Sequence, residues 1–468
     1  MKEKYTYLTK NILLFALNGF IPKILSFILI PIYTGYLSTG DYGVSDLITT
    51  TVQLLVPIFT LDIQDAVIRF AMDKECNKRD VFSVAVRINV IGSIIVAVGA
   101  LVASFLNIPG VEDSYLFFLV IMYVVTALQN SVSLFCRGID RVQVVVVSSV
   151  IHSVITLTAN ILFLVVFHWG LIGYLVANTI GSLLALVYCF IAAKLHRYIS
   201  FSVPTELSKA MRAYSFPLIF SVIAWWINNA SDRYILSGIA GVAISGVYAI
   251  AYKIPNLLSI FQNIFTQAWS ISAIKEFDKD DTDGFIGNMY TMMNFGMVTV
   301  CSLIMIVNIP VAKVLYSNDF FEAWHFVPPL LISVVLNAMA LFIGSIFTAV
   351  KDTKTLSYST LLGAGVNTVC NFALIPFFGA YGAAIATLIG YAVTLIMRHI
   401  ILRKHIRMRI HMARDLVVYA VLAAQMVIAY FGVYAIPVQV ICTAVILVFY
   451  RAEIGSAVKM LKAKLLKR

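Results

Sequence analysis

GLIGYLVANTIG, residues 170–181, returns as GAYGAAIATLIG at residues 379–390. Glycine holds the same three positions in both copies, Gly170, Gly173 and Gly181 in the first and Gly379, Gly382 and Gly390 in the second. Small residues at such positions let membrane helices pack closely, and packing is the purpose we assign to them. Their recurrence argues for duplication. Each copy lies in a pair of apolar runs, and superposing the copies lays the fifth and sixth runs of the chain onto the eleventh and twelfth. Two six-helix lobes follow, in the same orientation, as expected of a transporter with its site between two halves.

Outward from these stretches the chain is apolar throughout. Hydrophobic residues make up 61% and charged residues 12%, with a mean hydropathy of +0.92, whereas soluble domains are about 25% charged. A hydrocarbon slab about 30 Å thick asks for roughly 20 apolar residues per helix. Such runs fall at 11–36, 44–67, 81–106, 115–136, 142–167, 171–193, 214–237, 243–274, 288–315, 327–350, 356–377, 380–401, 415–433 and 436–450. They are continuous, not alternating, so helices are expected and a barrel is not. The expected fold is all-α: a polytopic membrane protein of fourteen transmembrane helices, two six-helix lobes in a V-like arrangement plus two C-terminal helices. The lobes are placed at 1–200 and 201–404, with the appended helices and a basic tail at 405–468.

Charge placement supports the count. All but five of the 34 Lys and Arg fall in the first ten residues or in the segments after the even-numbered runs. The outside loops hold none and carry Asp41, Glu112, Asp113, Asp319 and Glu322 instead. By the positive-inside rule both termini are cytoplasmic. The net charge of +11 is thereby placed against anionic headgroups, which removes the case for nucleic acid. The first run is too long for a signal-peptide core and is read as a retained helix. None of the six cysteines lies in an outside loop, so no structural disulfide is expected, and their spacing fits no metal site. The acidic run Asp278, Asp280, Asp281 and Asp283, beside Lys275 and Lys279, reads as a solvated loop, not a metal cluster. No polar stretch is long enough for a soluble domain, which weakens a membrane enzyme of glycan assembly.

The five remaining basic residues are Lys23, Arg87, Arg233, Lys253 and Lys313. A basic residue at mid-membrane costs about 2.5–3.5 kcal/mol on insertion scales, so it normally faces a polar cavity or a partner. Lys313 lies near an outer end, where it can snorkel to the headgroups, and Arg233 adjoins Asp232. Lys23, Arg87 and Lys253 are therefore the candidates for contact with substrate. With acidic residues scarcer in the spans (Asp62, Asp65, Asp232), a net positive interior points to an anionic ligand such as phosphate or pyrophosphate and away from a cationic drug. A second constellation comes from depth. At 1.5 Å rise per residue, Asp232, Asn371 and Thr387 share one layer, with Asn367 one turn deeper on the face of Asn371. Their oxygens, with the backbone carbonyl of Ala383, suit a small cation. Hydrogen bonding between packed helices is the alternative reading.

Three stretches carry a family resemblance: NGFIPKILSFILIPIYTGYLSTGDYGVSDL from Asn18, NNASDRYILSGIAGVAISGVYAIAYKI from Asn228, and NTVCNFALIPFFGAYGAAIAT from Asn367. The chain resembles the oligosaccharidyl-lipid and polysaccharide flippases of the multidrug, oligosaccharidyl-lipid and polysaccharide exporter superfamily. The Asp232–Arg233 pair followed by Gly246, Val247 and Tyr248 is the most specific piece. The resemblance implies a non-enzymatic flippase that moves undecaprenyl-pyrophosphate-linked oligosaccharide across the bacterial cytoplasmic membrane by alternating access, for surface polysaccharide. Lys23, Arg87 and Lys253 would then meet the pyrophosphate or an acidic sugar, and Trp225 and Trp226 either line the sugar path or serve packing. The implied partners are the lipid-linked glycan, membrane lipids, and a polysaccharide polymerase with its assembly proteins. No cofactor is implied beyond a coupling ion, Na+ or H+. Fourteen helices also resemble the lipid II flippases, in which Asp, Asn, an acidic residue and Thr form a similar sodium site. Here Asn371 replaces the acidic residue. A lipid II flippase and a cation-coupled multidrug exporter remain the alternatives.

Overall fold

The computed structural model describes residues 25–106, 112–200, 203–275, 277–408, 410–453 and 455. No strand occurs among them. The helices run in order α1 (Leu25–Tyr36), α2 (Thr39–Phe59), α3 (Ile63–Ala71), α4 (Lys78–Phe105), α5 (Asp113–Gly138), α6 (Val142–Val166) and α7 (Gly170–Ala192). There follow α8 (Thr205–Ala240), α9 (Val242–Ala251), α10 (Pro255–Lys275), α11 (Phe285–Leu315), α12 (Val327–Ala349), α13 (Thr353–Leu402), α14 (Met412–Ala429) and α15 (Gly432–Phe449). Side chains set several of the starts. Ser38 and Asp41 close a reciprocal capping box on α2, and Asn77 caps α4 through the Arg79 amide.

The all-helical membrane architecture is therefore as the sequence leads one to expect. Among the described residues eleven helices are long and apolar enough to cross a membrane, twelve when the bent pair α9–α10 counts as one span. α13 enters that tally once, yet its 50 residues would reach about 75 Å at 1.5 Å rise, more than two bilayer cores. Gly379 breaks it with φ 53° and ψ −133°, between the runs 356–377 and 380–401. The first run is described only from Leu25 onward. Fourteen crossings thus stay the expectation of the charge pattern.

The repeat has the same backbone signature in both copies. Gly170 and Gly379 take φ of 55° and 53°, the left-handed region that a residue with a Cβ enters at a cost. The last glycine of each copy sits where two helices touch. A Cβ on Gly181 would fall 2.0 Å from Thr156 Oγ1, and one on Gly390 would fall 2.8 Å from Asn367 Cβ and 3.0 Å from the Gly363 carbonyl. Close packing of α6 with α7, and of the two halves of α13, is what these residues permit.

Two compact units divide the chain, Met1–Ala230 and Ser231–Arg468, with the boundary inside α8. In the first, Ile63, Val81, Phe82, Phe135, Cys136 and Cys189 form the main apolar core. In the second, α12 is central, with 78% of its membrane window buried. The two appended helices, α14 and α15, attach to α11 through side-chain hydrogen bonds. Ser302 donates to Gln425 Oε1 at 2.7 Å and pairs with Thr443 at 2.7 Å, and Asn294 joins Tyr419 at 2.8 Å and Tyr450 at 3.0 Å. Such bonds contribute about 0.6 kcal/mol each in a membrane, so several are needed to hold a helix pair.

The acidic run at 278–283 departs in part from a solvated loop. Asp281 is buried and caps α11, accepting from the amides of Ile286 at 2.9 Å and Gly287 at 3.0 Å. Asp278 binds Thr282 and Asp283 binds the Phe285 amide. Three of the four carboxylates are thus used to end a loop and start a helix. Among the described residues no cluster of three metal-ligating side chains occurs.

Asp352 starts α13 in the same way. It accepts from the Thr355 amide at 3.1 Å and the Thr355 hydroxyl at 2.6 Å, and meets His405 Nε2 at 3.1 Å. The Thr355 hydrogen bonds hold its carboxyl below the usual carboxylate value. Its stabilisation is therefore complete above the ordinary pKa of about 3.9 and is lost as pH falls through the lowered folded value. Thermal melts in detergent should show Asp352→Asn less stable than wild type at neutral pH, with the gap closing in acid. A gap independent of pH would refute the cap.

Candidate functional site

In the second unit α8, α9 and α13 bring one set of polar side chains together. Asp232, 3% exposed on α8, accepts at Oδ2 from Tyr248 Oη at 2.8 Å and Tyr252 Oη at 3.0 Å, and at Oδ1 from the Arg233 amide at 2.9 Å. The two tyrosines are four residues apart, so a single helical face presents both hydroxyls. The Arg233 guanidinium lies 5.2 Å over the Tyr252 ring, a cation–π contact that holds the positive charge beside the carboxylate.

The Tyr248 hydroxyl also lies within electrostatic reach of Thr387 on α13, which donates to the Ala383 carbonyl at 3.1 Å. Asn367 Nδ2 reaches Thr387 Oγ1 at 3.4 Å, and Asn371 Nδ2 reaches Asn367 Oδ1 at 3.1 Å. Asn371 Oδ1 is buried with no hydrogen-bond partner. Asn367, Asn371, Ala383 and Thr387 therefore form one hydrogen-bonded group, with Asp232 brought near it by Tyr248. Reading depth from the helical rise places these five residues together but misses Tyr248 and Tyr252, which join α9 to α8 through Asp232. Tyr391 also lies within electrostatic reach of Asp232. The oxygens on hand are hard ligands of the kind small cations take. A cation bound at Oδ2 would have to turn the two tyrosine protons aside.

The basic candidates are placed differently. Lys253 does not lie in a continuous span. It sits in the break between α9 and α10, which are bent by 48°, half-buried and with no side-chain hydrogen bond among the described residues. Pro255 causes the break, because it offers no amide to the preceding turn and pushes Ile254 away from helical geometry. Interrupted helices are where transporters commonly place their ligand groups. Arg87 is exposed on α4 with no side-chain partner among the described residues. Lys23 lies outside the described residues. Lys313 is exposed in the last turn of α11. In the first unit Trp226 donates to the Thr50 carbonyl at 2.8 Å, a packing role, while Trp225 is exposed.

Arg398 is a buried charge that the sequence reading counts among the cytoplasmic loops. It is 3% exposed near the end of α13, where Ala340 O, Leu356 O, Ser359 Oγ and Thr360 Oγ1 accept from it. No carboxylate among the described residues forms an ion pair with it. Oriented carbonyl and hydroxyl dipoles replace the counterion, an arrangement that pins α12 to both halves of α13. The only available signal in the sequence is an arginine at the end of a long apolar run.

Residues 8–271 match the family model described as "Polysaccharide biosynthesis protein". The chain belongs to that family. Comparison with the curated proteins matched none of them. Among solved structures, a lipid II flippase MurJ in an inward closed conformation is similar with a TM-score of 0.71 and 14% identity, over 94% of this chain and 100% of that one. A multidrug resistance MATE family transporter of the MOP superfamily, inward-facing, is similar with a TM-score of 0.66 and 15% identity, over 83% and 97%. A MOP superfamily transporter from Pyrococcus furiosus follows at 0.54 and 14%, over 83% and 92%. At these identities the likeness is one of fold. This polysaccharide biosynthesis protein thus has the all-helical fold of membrane transporters and flippases, and the family resemblance read from its sequence is borne out.

Proposed function

We propose that the protein is a flippase for an undecaprenyl-pyrophosphate-linked oligosaccharide, working by alternating access in the bacterial cytoplasmic membrane to supply surface polysaccharide. The observation that carries this reading is the polysaccharide biosynthesis match over residues 8–271 on a chain whose fold is similar to that of a lipid II flippase over 94% of its length. No covalent step is assigned. Lys253, at a helix break, and Arg87, on α4, neither with a side-chain partner among the described residues, are proposed to meet the pyrophosphate, together with Lys23. The layer of Asp232, Asn367, Asn371, Ala383 and Thr387 is proposed to hold a coupling ion, Na+ or H+. Both termini are proposed to be cytoplasmic, with a polysaccharide polymerase as the acceptor of the flipped product.

The test is translocation in proteoliposomes of the lipid-linked repeat unit and, separately, of lipid II. Wild type should move the repeat unit, and Lys253→Gln, inserted at wild-type level, should lose it by tenfold or more, as expected when a charge-assisted phosphate contact is removed. The fold similarity to MurJ favours lipid II as the second reading. Movement of lipid II alone would replace the proposed substrate. Undiminished movement by Lys253→Gln would remove that residue from the site.

A further inference from the structure

We infer that the second unit carries a saccharide-binding pocket at the end whose loops lack Lys and Arg. This goes beyond the proposed flippase activity but rests on it for the class of ligand. The cavity is open, about 510 Å³, and lined by Glu322, His325, Phe326, Tyr381 and Tyr430. Ligand pockets commonly measure roughly 300–1,000 Å³, so the space suits one or two sugar rings. Three separate segments build it: the short 3-10 helix Asn318–His325 with the residue after it, the turn in α13 just beyond Gly379, and the end of α14.

The lining is rigid and aromatic. The His325 ring lies 3.8 Å from Trp324, centroid to centroid, and stacks on Tyr430 at 6.2 Å and 6°. Tyr381 meets Tyr430 edge-on at 5.6 Å, and the Tyr430 hydroxyl donates to the His325 carbonyl at 2.7 Å. Phe326 meets the ring of Tyr248 at 6.3 Å, which leaves one side chain between the pocket and the Asp232 layer. Beside these rings stands a polar pair, Glu322 Oε2 to His325 Nδ1 at 3.0 Å. His325 Nε2 has no partner among the described residues, and the Glu322 side chain is 67% exposed.

This chemistry selects a sugar. A pyranose presents an apolar C–H face, which settles on aromatic rings, and a rim of hydroxyls, which need polar partners close together. With Nδ1–H turned to Glu322, the carboxylate and the His325 Nε2 lone pair both accept from them. No basic residue other than His325 lines the cavity, so the pyrophosphate is not the group it holds. Membrane proteins collect Trp and Tyr in interfacial belts at this depth. A concave cluster wrapped around a carboxylate–imidazole pair is a different arrangement.

Binding is measured on the full chain in lipid nanodiscs with three probes: the lipid-free repeat-unit oligosaccharide of the host's surface polysaccharide, undecaprenyl pyrophosphate without sugar, and tetramethylammonium. Tyr381→Ala and Glu322→Gln should each weaken oligosaccharide binding by roughly tenfold, as loss of an interface anchor does, and leave the sugar-free lipid unchanged. Oligosaccharide affinity within twofold of wild type in both variants overturns the pocket. So does preferential binding of tetramethylammonium. Translocation, scored on the same preparations, separates this outcome from failure of the flippase reading. A wild-type protein that binds sugar through Tyr381 and Glu322 without moving the lipid keeps the pocket and loses the flippase.

Discussion

Gly382→Ala is expected to leave little folded protein, whereas Gly365→Ala should be silent. A Cβ on Gly382 would lie 2.6 Å from the Leu374 carbonyl oxygen, 2.7 Å from the Leu374 carbonyl carbon and 3.0 Å from the Ile375 nitrogen. All three are backbone atoms on the other arm of the turn at Gly379, so relief requires moving the two halves of α13 apart. Overpacking of this kind costs about 1–3 kcal/mol and more where nothing can yield. Around Gly365 nothing lies within 4 Å, and there alanine should help the helix slightly. Gly344→Ala should fall between the two. Its Cβ would meet Arg398 Nη1 at 2.8 Å, the far end of a flexible side chain that four acceptors nevertheless hold in place. The measurement is monodisperse yield and melting temperature in detergent. Equal values for Gly382→Ala and Gly365→Ala would refute the packing argument.

The same residues show what a sequence can disclose about such a protein. Gly382 and its partner Gly173 were legible because a membrane helix contact demands small side chains at a fixed spacing, and duplication wrote the demand twice. The layer of Asp232, Asn371 and Thr387 was legible because helical rise converts residue number into depth. Tyr248 and Tyr252 were not, since a tyrosine in an apolar run usually signals packing or an interface, and only the approach of α9 to α8 turns their hydroxyls onto Asp232. The break at Lys253 had its signal in Pro255, masked by apolar residues on both sides. Arg398 was hidden for a different reason. Charge counting assigns a basic residue at a span's end to the loop, and a cage of carbonyls on other segments is invisible to it. Glu322, Tyr381 and Tyr430 meet only through tertiary folding, so no local pattern announces their pocket.

Asp232→Asn should reduce transport of the lipid-linked oligosaccharide by tenfold or more while leaving folded yield near wild type. Asparagine has the size of aspartate, and the two tyrosine hydroxyls can each reverse to accept from an amide, so the hydrogen bonds at this position can re-form. Only the charge is removed. The Arg233 guanidinium stays over the Tyr252 ring, and the layer loses the negative charge of Asp232 that would attract a cation. The coupling reading makes a further demand: wild-type transport in proteoliposomes should rise with an imposed sodium or proton gradient, and the variant should respond to neither. Tyr248→Phe gives the control, because it keeps the carboxylate and removes one of the two tyrosine hydroxyls that donate to it. Its loss should be smaller and its gradient response intact. Transport by Asp232→Asn that matches wild type and still follows the gradient would return this layer to a purely structural role between packed helices.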